Sequence, residues 1–338
     1  MAPIERAATE LVAEQRRLFR QLTDMGVDSY GYLLENTIGL PGQSKVLTAS
    51  IRVRYCVGAE KCRPPDSEAL LSLREDDGKL LITRYQPRGD LLRPWEVSDL
   101  RVENGRRVVV AASPRYADRL ATVRREADRI AAYADRFGPQ DGSMGKRLIF
   151  LGVPGTSAER WYLGSLEKTD FAVSFKPEDF DEPRLAAVEH VIRADQVGAG
   201  GLRDVLSWHL GYGAAHTATT SPGYEHWVLR EGIATYVGEQ RRNPADHVIE
   251  KDLRLVLKGW KGDLSDFGLG SGAFRAFQTG AWVVVHRLID RYGEKKFIAF
   301  FNAVARQGDS YEAAAEEHLG RDLEKVQKDV LRHMRSLA

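Results

Sequence analysis

The sequence predicts an α+β protein: a helix and an antiparallel sheet first, then a mainly helical domain with a small sheet. Three observations carry this. Residues 3–24 set Ile4, Ala7, Ala8, Leu11, Leu18, Phe19 and Leu22 close to one helical stripe. Strand-like segments separated by turn residues occupy 29–36, 46–57, 69–74, 79–86 and 108–112. Everything after about Leu202 has helical spacing.

In order, Met25-Gly26 ends the first helix. Ile51, Val53 and Tyr55 alternate with polar residues, the period of a half-buried strand. Asp76-Asp77-Gly78 between two strands predicts a hairpin turn. Pro64-Pro65 and Pro87-Arg88-Gly89 mark loops. These elements read as a small α+β domain over 1–112. Ser113-Pro114 then opens a long helix, 115–137, stopped by Gly138-Pro139. Its charges alternate in sign, as on a solvated face. Apolar segments at 147–151, 160–165, 171–175 and 188–192 predict the small sheet. Helices follow at 202–218, 225–242, 245–258, 272–292, 294–306, 310–318 and 321–336. The second domain therefore spans 113–338, and a chain of 338 residues fits two domains.

Composition narrows the function classes. Apolar residues make up 43% and charged residues 29%, enough for two cores. The formal net charge of +1 gives no global field to draw nucleic acid or an anionic membrane. No run of eighteen apolar residues predicts a membrane span. The N-terminus lacks the apolar core of a secretory signal, so a cytoplasmic location is expected. Cys56 and Cys62 flank VGAEK, and two ordinary thiols are expected there, with a disulfide as the alternative. Gly145-Lys146 lacks phosphate-loop spacing, and GAGG at 198–201 reads as the flexible approach to a helix.

The chemistry concentrates in 202–236, LRDVLSWHLGYGAAHTATTSPGYEHWVLREGIATY. Leu202, Leu206 and Leu210 form one ridge of the first helix. Val205, Trp208, His209, Tyr212 and His216 form another face. Eighteen residues separate Tyr212 from Glu231 on the second helix. This stretch resembles the active-site frame of gluzincin-type zinc peptidases. There, H-E-x-x-H supplies two ligands and a general base, and a Glu on the next helix supplies the third ligand. The segment from Glu231 to Tyr236 matches E-G-x-A-x-Y of that second helix, and QTGAWVVVHRLIDRYGEKKFIAFF resembles the helix that closes such domains. The span from Ser113 onward resembles a peptidase-MA-like domain. Residues 1–112 resemble the cone-shaped domain of the nuclear transport factor 2 type. The five motif positions read Trp208-His209-Leu210-Gly211-Tyr212, a degenerate version of the motif.

That degeneracy sets the candidate roles. Trp208 offers only an N–H donor and cannot ligate a metal. His209 and His216 stand ~10 Å apart along the axis, too far to share one ion easily. No metal or other cofactor is expected, with His209, His226 and Glu231 as the alternative ligand set. The favoured expectation is metal-free acid–base chemistry on a small-molecule or peptide-like ligand. His209 and Glu231 would form the acid–base pair, and Tyr212 would donate to a developing oxyanion. Glu231 beside His209 would favour the protonated ring. Trp208, His216 and His226 would contact substrate, and Gly232 would let the two helices approach closely. The competing expectation is an inactive binding or scaffold protein, in which Trp208 and Tyr212 fill the room an ion has left.

Overall fold

A computed structural model describes residues 3–38, 46–57, 67–88, 92–140, 144–153, 161, 172–175, 189–195, 201–217, 226–239, 242–247, 250–265 and 274–338. The chain is α+β. Its contacts gather into two compact units, one of residues 1–125, 145–175 and 189–198, the other of 126–144, 176–188 and 199–338.

In the first unit, α1 (Pro3–Asp24) is continuous, with no Gly or Pro in its interior. It stops where Gly26 takes a φ of +71° and its N–H reaches the Thr23 carbonyl at 2.9 Å. β1 (Val27–Ile38), β2 (Val46–Val57), β3 (Ser67–Asp76) and β4 (Lys79–Arg88) follow as an antiparallel sheet in chain order. Asp77 and Gly78 have φ values of 49° and 74°, the left-handed pair that matches the twist of a two-residue hairpin. Ile51, Val53 and Ala69 are buried on one face of this sheet, with Tyr85 packed beside them.

A second sheet has the order β5-β6-β7-β9-β8. It follows α2 (Pro94–Val97) and comprises β5 (Arg101–Asn104), β6 (Val108–Ala112), β7 (Arg147–Gly152), β8 (Ala172–Phe175) and β9 (Glu189–Arg193). β6, β7 and β9 run parallel at its centre, and β5 and β8 are antiparallel edges. This corrects the expected place of 108–112, which lies in the mixed sheet and not in the N-terminal antiparallel one. The reason is legible: Val-Val-Val-Ala-Ala is apolar on both faces and all five residues are buried, as a central parallel strand requires. Trp95, Phe150 and Trp161 share a core cluster with Leu18 and Val191, Phe150 meeting Trp95 at a tilt and Trp161 edge-on. Of the expected strand at 160–165, Trp161 is described, and its Nε1 donates to Ser98 Oγ at 2.8 Å. The rest of that segment and Cys62, and with it the disulfide alternative, lie outside the described residues.

α3 (Ala117–Ala134) passes from the first unit into the second. The second unit carries α4 (Leu202–His216), α5 (Trp227–Glu239), α6 (Pro244–His247), α7 (Glu250–Gly259), α8 (Phe274–Tyr292), α9 (Glu294–Asn302), α10 (Tyr311–Ala314) and α11 (Leu323–Leu337). The helix expected over 245–258 is two, α6 and α7. α9 and α10 each run on into a π-helical turn, Ala303–Gln307 and Ala315–Leu319. Val326, Val330 and Met334 form the buried stripe of α11. Among the described residues no helix is long and apolar enough to cross a membrane.

Two glycines set the spacing of the central helices. A methyl group on Gly211 of α4 would lie 2.8 Å from Val237 Cβ and 3.1 Å from Ala234 Cα of α5. A methyl group on Gly232 of α5 would lie 2.4 Å from both the Ala281 carbonyl oxygen and Val285 Cγ2 of α8. The close approach expected of Gly232 towards α4 therefore belongs to Gly211, and Gly232 serves α8 instead. One residue turns the helix by about 100°, which takes Gly232 away from the direction of Glu231. Gly232→Ala is expected to lose about 2–3 kcal/mol in urea unfolding, because a backbone oxygen cannot yield as a side-chain end can. Unchanged stability would contradict this packing.

Candidate functional site

α4 and α5 pack along their lengths, with Leu206 and Leu210 fully buried. Along α4, residues four apart lie one above the other. Trp208, Tyr212 and His216 therefore build a column of three rings. Trp208 and Tyr212 stack with centroids 5.0 Å apart and planes 26° apart. Tyr212 and His216 stack at 4.0 Å and 29°. His209 meets Trp208 edge-on, at 4.8 Å and 83°. The structure thus brings four of the expected site residues together on one helix.

The column is buried at Tyr212 and His216 and half-buried at Trp208. Tyr212 is 8% exposed, His209 7% and His216 3%. Glu231 on α5 is 3% exposed, next to the buried Arg230. Burial pulls the His209 imidazolium down to about 3, so the ring is neutral across the physiological range. This reverses the expected direction. A Glu231 carboxylate beside the ring would raise its pKa, and desolvation outweighs any such attraction here.

His226 meets a partner on another helix. Its Nδ1 lies 2.9 Å from the Tyr311 hydroxyl, and the two rings are 5.5 Å apart. His226 adopts a φ of 60°, a left-handed backbone rare outside glycine, and its carbonyl accepts the N–H groups of Leu229 and Arg230. It thereby starts α5. Tyr311 was not among the expected site residues, since nothing in a tyrosine 85 positions away marks it as a partner. Arg306 was missed likewise. Its guanidinium donates to the carbonyls of Ala214 at 2.9 Å, Thr217 at 3.1 Å and Phe137 at 2.8 Å, securing the C-terminal end of α4. Tyr236, which ends the E-G-x-A-x-Y segment, packs edge-on against Phe137 at 5.9 Å. It also hydrogen-bonds Tyr133, whose phenol pKa rises through burial first and Tyr236 second.

The donor set does not suit zinc. Of the three positions that supply ligands in the resembled frame, Trp208 carries no acceptor and Tyr212 is sandwiched between two rings. Only Glu231 keeps a ligand's chemistry. Among the described residues, no three His, Cys, Asp or Glu side chains gather as a metal-binding group, and His209, His226 and Glu231 are all described.

No family model matches this chain, and no curated protein does. A solved structure that does match is the crystal structure of a two-domain M1 zinc metallopeptidase variant bound to L-tryptophan. The identity is 13% and the TM-score 0.39, over 90% of this chain and 60% of the other. The chain thus spans about three fifths of that protein's length, and the functional assignment rests on the residues themselves.

Proposed function

We propose that this chain is a non-catalytic derivative of a zinc-peptidase scaffold, working as a binding or scaffold protein without a metal. In descent it joins a small α+β module to a peptidase-like module, and the boundary falls before the mixed sheet rather than at 112, because β6 pairs with β7. The observation that carries this is the ring column. Trp208 and Tyr212 occupy the two histidine positions of H-E-x-x-H, stack on each other, and continue into His216. Aromatic rings there replace the volume and cohesion that an ion and its ligands would supply. The helix frame survives because α4 and α5 are the core of the second unit, whatever chemistry they hold. A small-molecule or peptide-like ligand remains the expected kind of partner.

An acid–base role for His209 and Glu231 requires a ring that exchanges protons near neutral pH and reaches a ligand. A ring that is 7% exposed, with a pKa near 3, does neither well. The test is the titration of His209 by ring nitrogen NMR, assigned with His209→Gln. The ring should stay neutral down to about pH 4. An unfolded histidine titrates near 6.5, so the stability tied to this ring is complete above that pH. It is lost as pH falls towards 3, by about 1.4 kcal/mol per pH unit. His209→Gln should flatten that acid limb. A His209 that titrates at 6 or above in the folded protein would return the site to acid–base chemistry.

A further inference from the structure

β1 and β4 are the two edges of the four-stranded sheet, and their chemistries differ. At β1, Tyr32, Leu33 and Leu34 are 66%, 47% and 60% exposed. Beside them Phe19 of α1 is 74% exposed. Phe19 lines, with Leu18, Leu22, Val27 and Tyr32, a cavity of about 270 Å³ between α1 and β1. At β4, Leu80, Leu81 and Ile82 are exposed too. That strand, however, carries Lys79, Arg84 and Arg88, and the cavity next to it is lined by Glu14, Arg17 and Asp99. An edge strand presents a row of backbone groups ready to pair with another strand, and proteins guard such edges with charge. β4 is guarded in this way by cations on both sides of its exposed triplet, whereas the charge next to the β1 triplet, Glu35, is paired with Arg52 of β2.

We propose that β1 is the seam of a homodimer, formed when a second copy of this chain adds its own β1 antiparallel across a two-fold axis at Leu33. The register is fixed by the faces of the strand. Tyr32 pairs with Val53 and Leu34 with Ile51 across β1 and β2, so Tyr32 and Leu34 lie on the core face. Leu33 pairs with Arg52 and lies on the other face. A two-fold axis at Leu33 sets Leu33 against its own copy and Tyr32 of one copy against Leu34 of the other. Every apolar residue of the triplet then meets an apolar residue on its own face. Glu35 falls opposite Gly31 and is already bridged to Arg52, so no like charges are opposed. The register shift between Leu34 and Asn36 ends the pairing there.

A second copy fits better than an unrelated strand because each copy brings both the groove and its filling. Tyr32 and Leu34 of the incoming strand arrive on the face where Phe19 stands exposed and cover the cavity under α1. The formal net charge of +1 leaves little repulsion between copies. The same operation at β4, centred on Leu81, would bring Lys79 of one copy beside Arg84 of the other. This dimer is independent of the proposed function, since it uses only the first unit.

Light scattering of the full chain from about 1 to about 100 μM should show the mass rise from 37.8 kDa towards twice that value. Leu33→Lys, at a solvent-facing position, should move the midpoint at least about tenfold higher, while Leu81→Lys leaves it in place. In a Cys56→Ser, Cys62→Ser background, a short bismaleimide should link the copies of Leu33→Cys and leave those of Leu81→Cys unlinked. A monomer at every concentration overturns the proposal. So does a dimer that Leu33→Lys leaves intact, or one that Leu81→Lys disrupts.

Discussion

Tyr212→Ala is expected to destabilise the protein by about 3–5 kcal/mol, and Tyr212→Phe by about 1 kcal/mol or less. Tyr212 is the middle ring of the column, 5.0 Å from Trp208 and 4.0 Å from His216. Alanine would remove both stacking contacts and leave a ring-sized void between side chains fixed on the same helix, which cannot collapse to fill it. Phenylalanine keeps the ring and gives up only the hydroxyl. The pair of variants therefore separates the two roles a buried tyrosine can hold here. If the ring is structural, chemical denaturation shows a wide gap between Ala and Phe. If the side chain matters only as a hydrogen-bond donor, the two variants fall together and both stay close to the wild type in stability.

Local rules carried much of the fold. The Asp77-Gly78 turn needed only residues that tolerate positive φ, and both adopt it. The helix α1 and those beyond Leu202 follow from spacing alone, although Phe19, placed on the α1 stripe, is exposed. β5 did not announce itself, because Arg-Val-Glu-Asn holds a single apolar residue and forms an edge. β6 announced a strand but not its sheet, since pairing with β7 and β9 is a long-range event. In the candidate site, the stacking of Trp208, Tyr212 and His216 is implicit in their spacing of four. The direction of the His209 shift was not, because it depends on how completely the neighbouring helices enclose the ring. His226 and Tyr311 show the same limit. A left-handed histidine held by a tyrosine from a distant helix leaves no trace in local sequence.

The triple variant Trp208→His, His209→Glu, Tyr212→His restores H-E-x-x-H on α4 while Glu231 and the eighteen-residue spacing stay as they are. The two imidazoles would then stand four apart on one helix face, the arrangement that lets both reach one ion. Losing the rings costs packing, and a bound ion returns stability in proportion to its affinity. The effect on metal binding should be nearly all or none, because Trp208 offers zinc no acceptor and histidine does. The decisive measurement is zinc per chain, by elemental analysis after dialysis against zinc and then buffer. The folded triple variant should retain about one zinc per chain and the wild type less than about 0.1. A folded triple variant that retains none would contradict the proposed descent from a peptidase frame. A wild type holding one zinc per chain, lost on His209→Ala, would contradict the proposed metal-free centre.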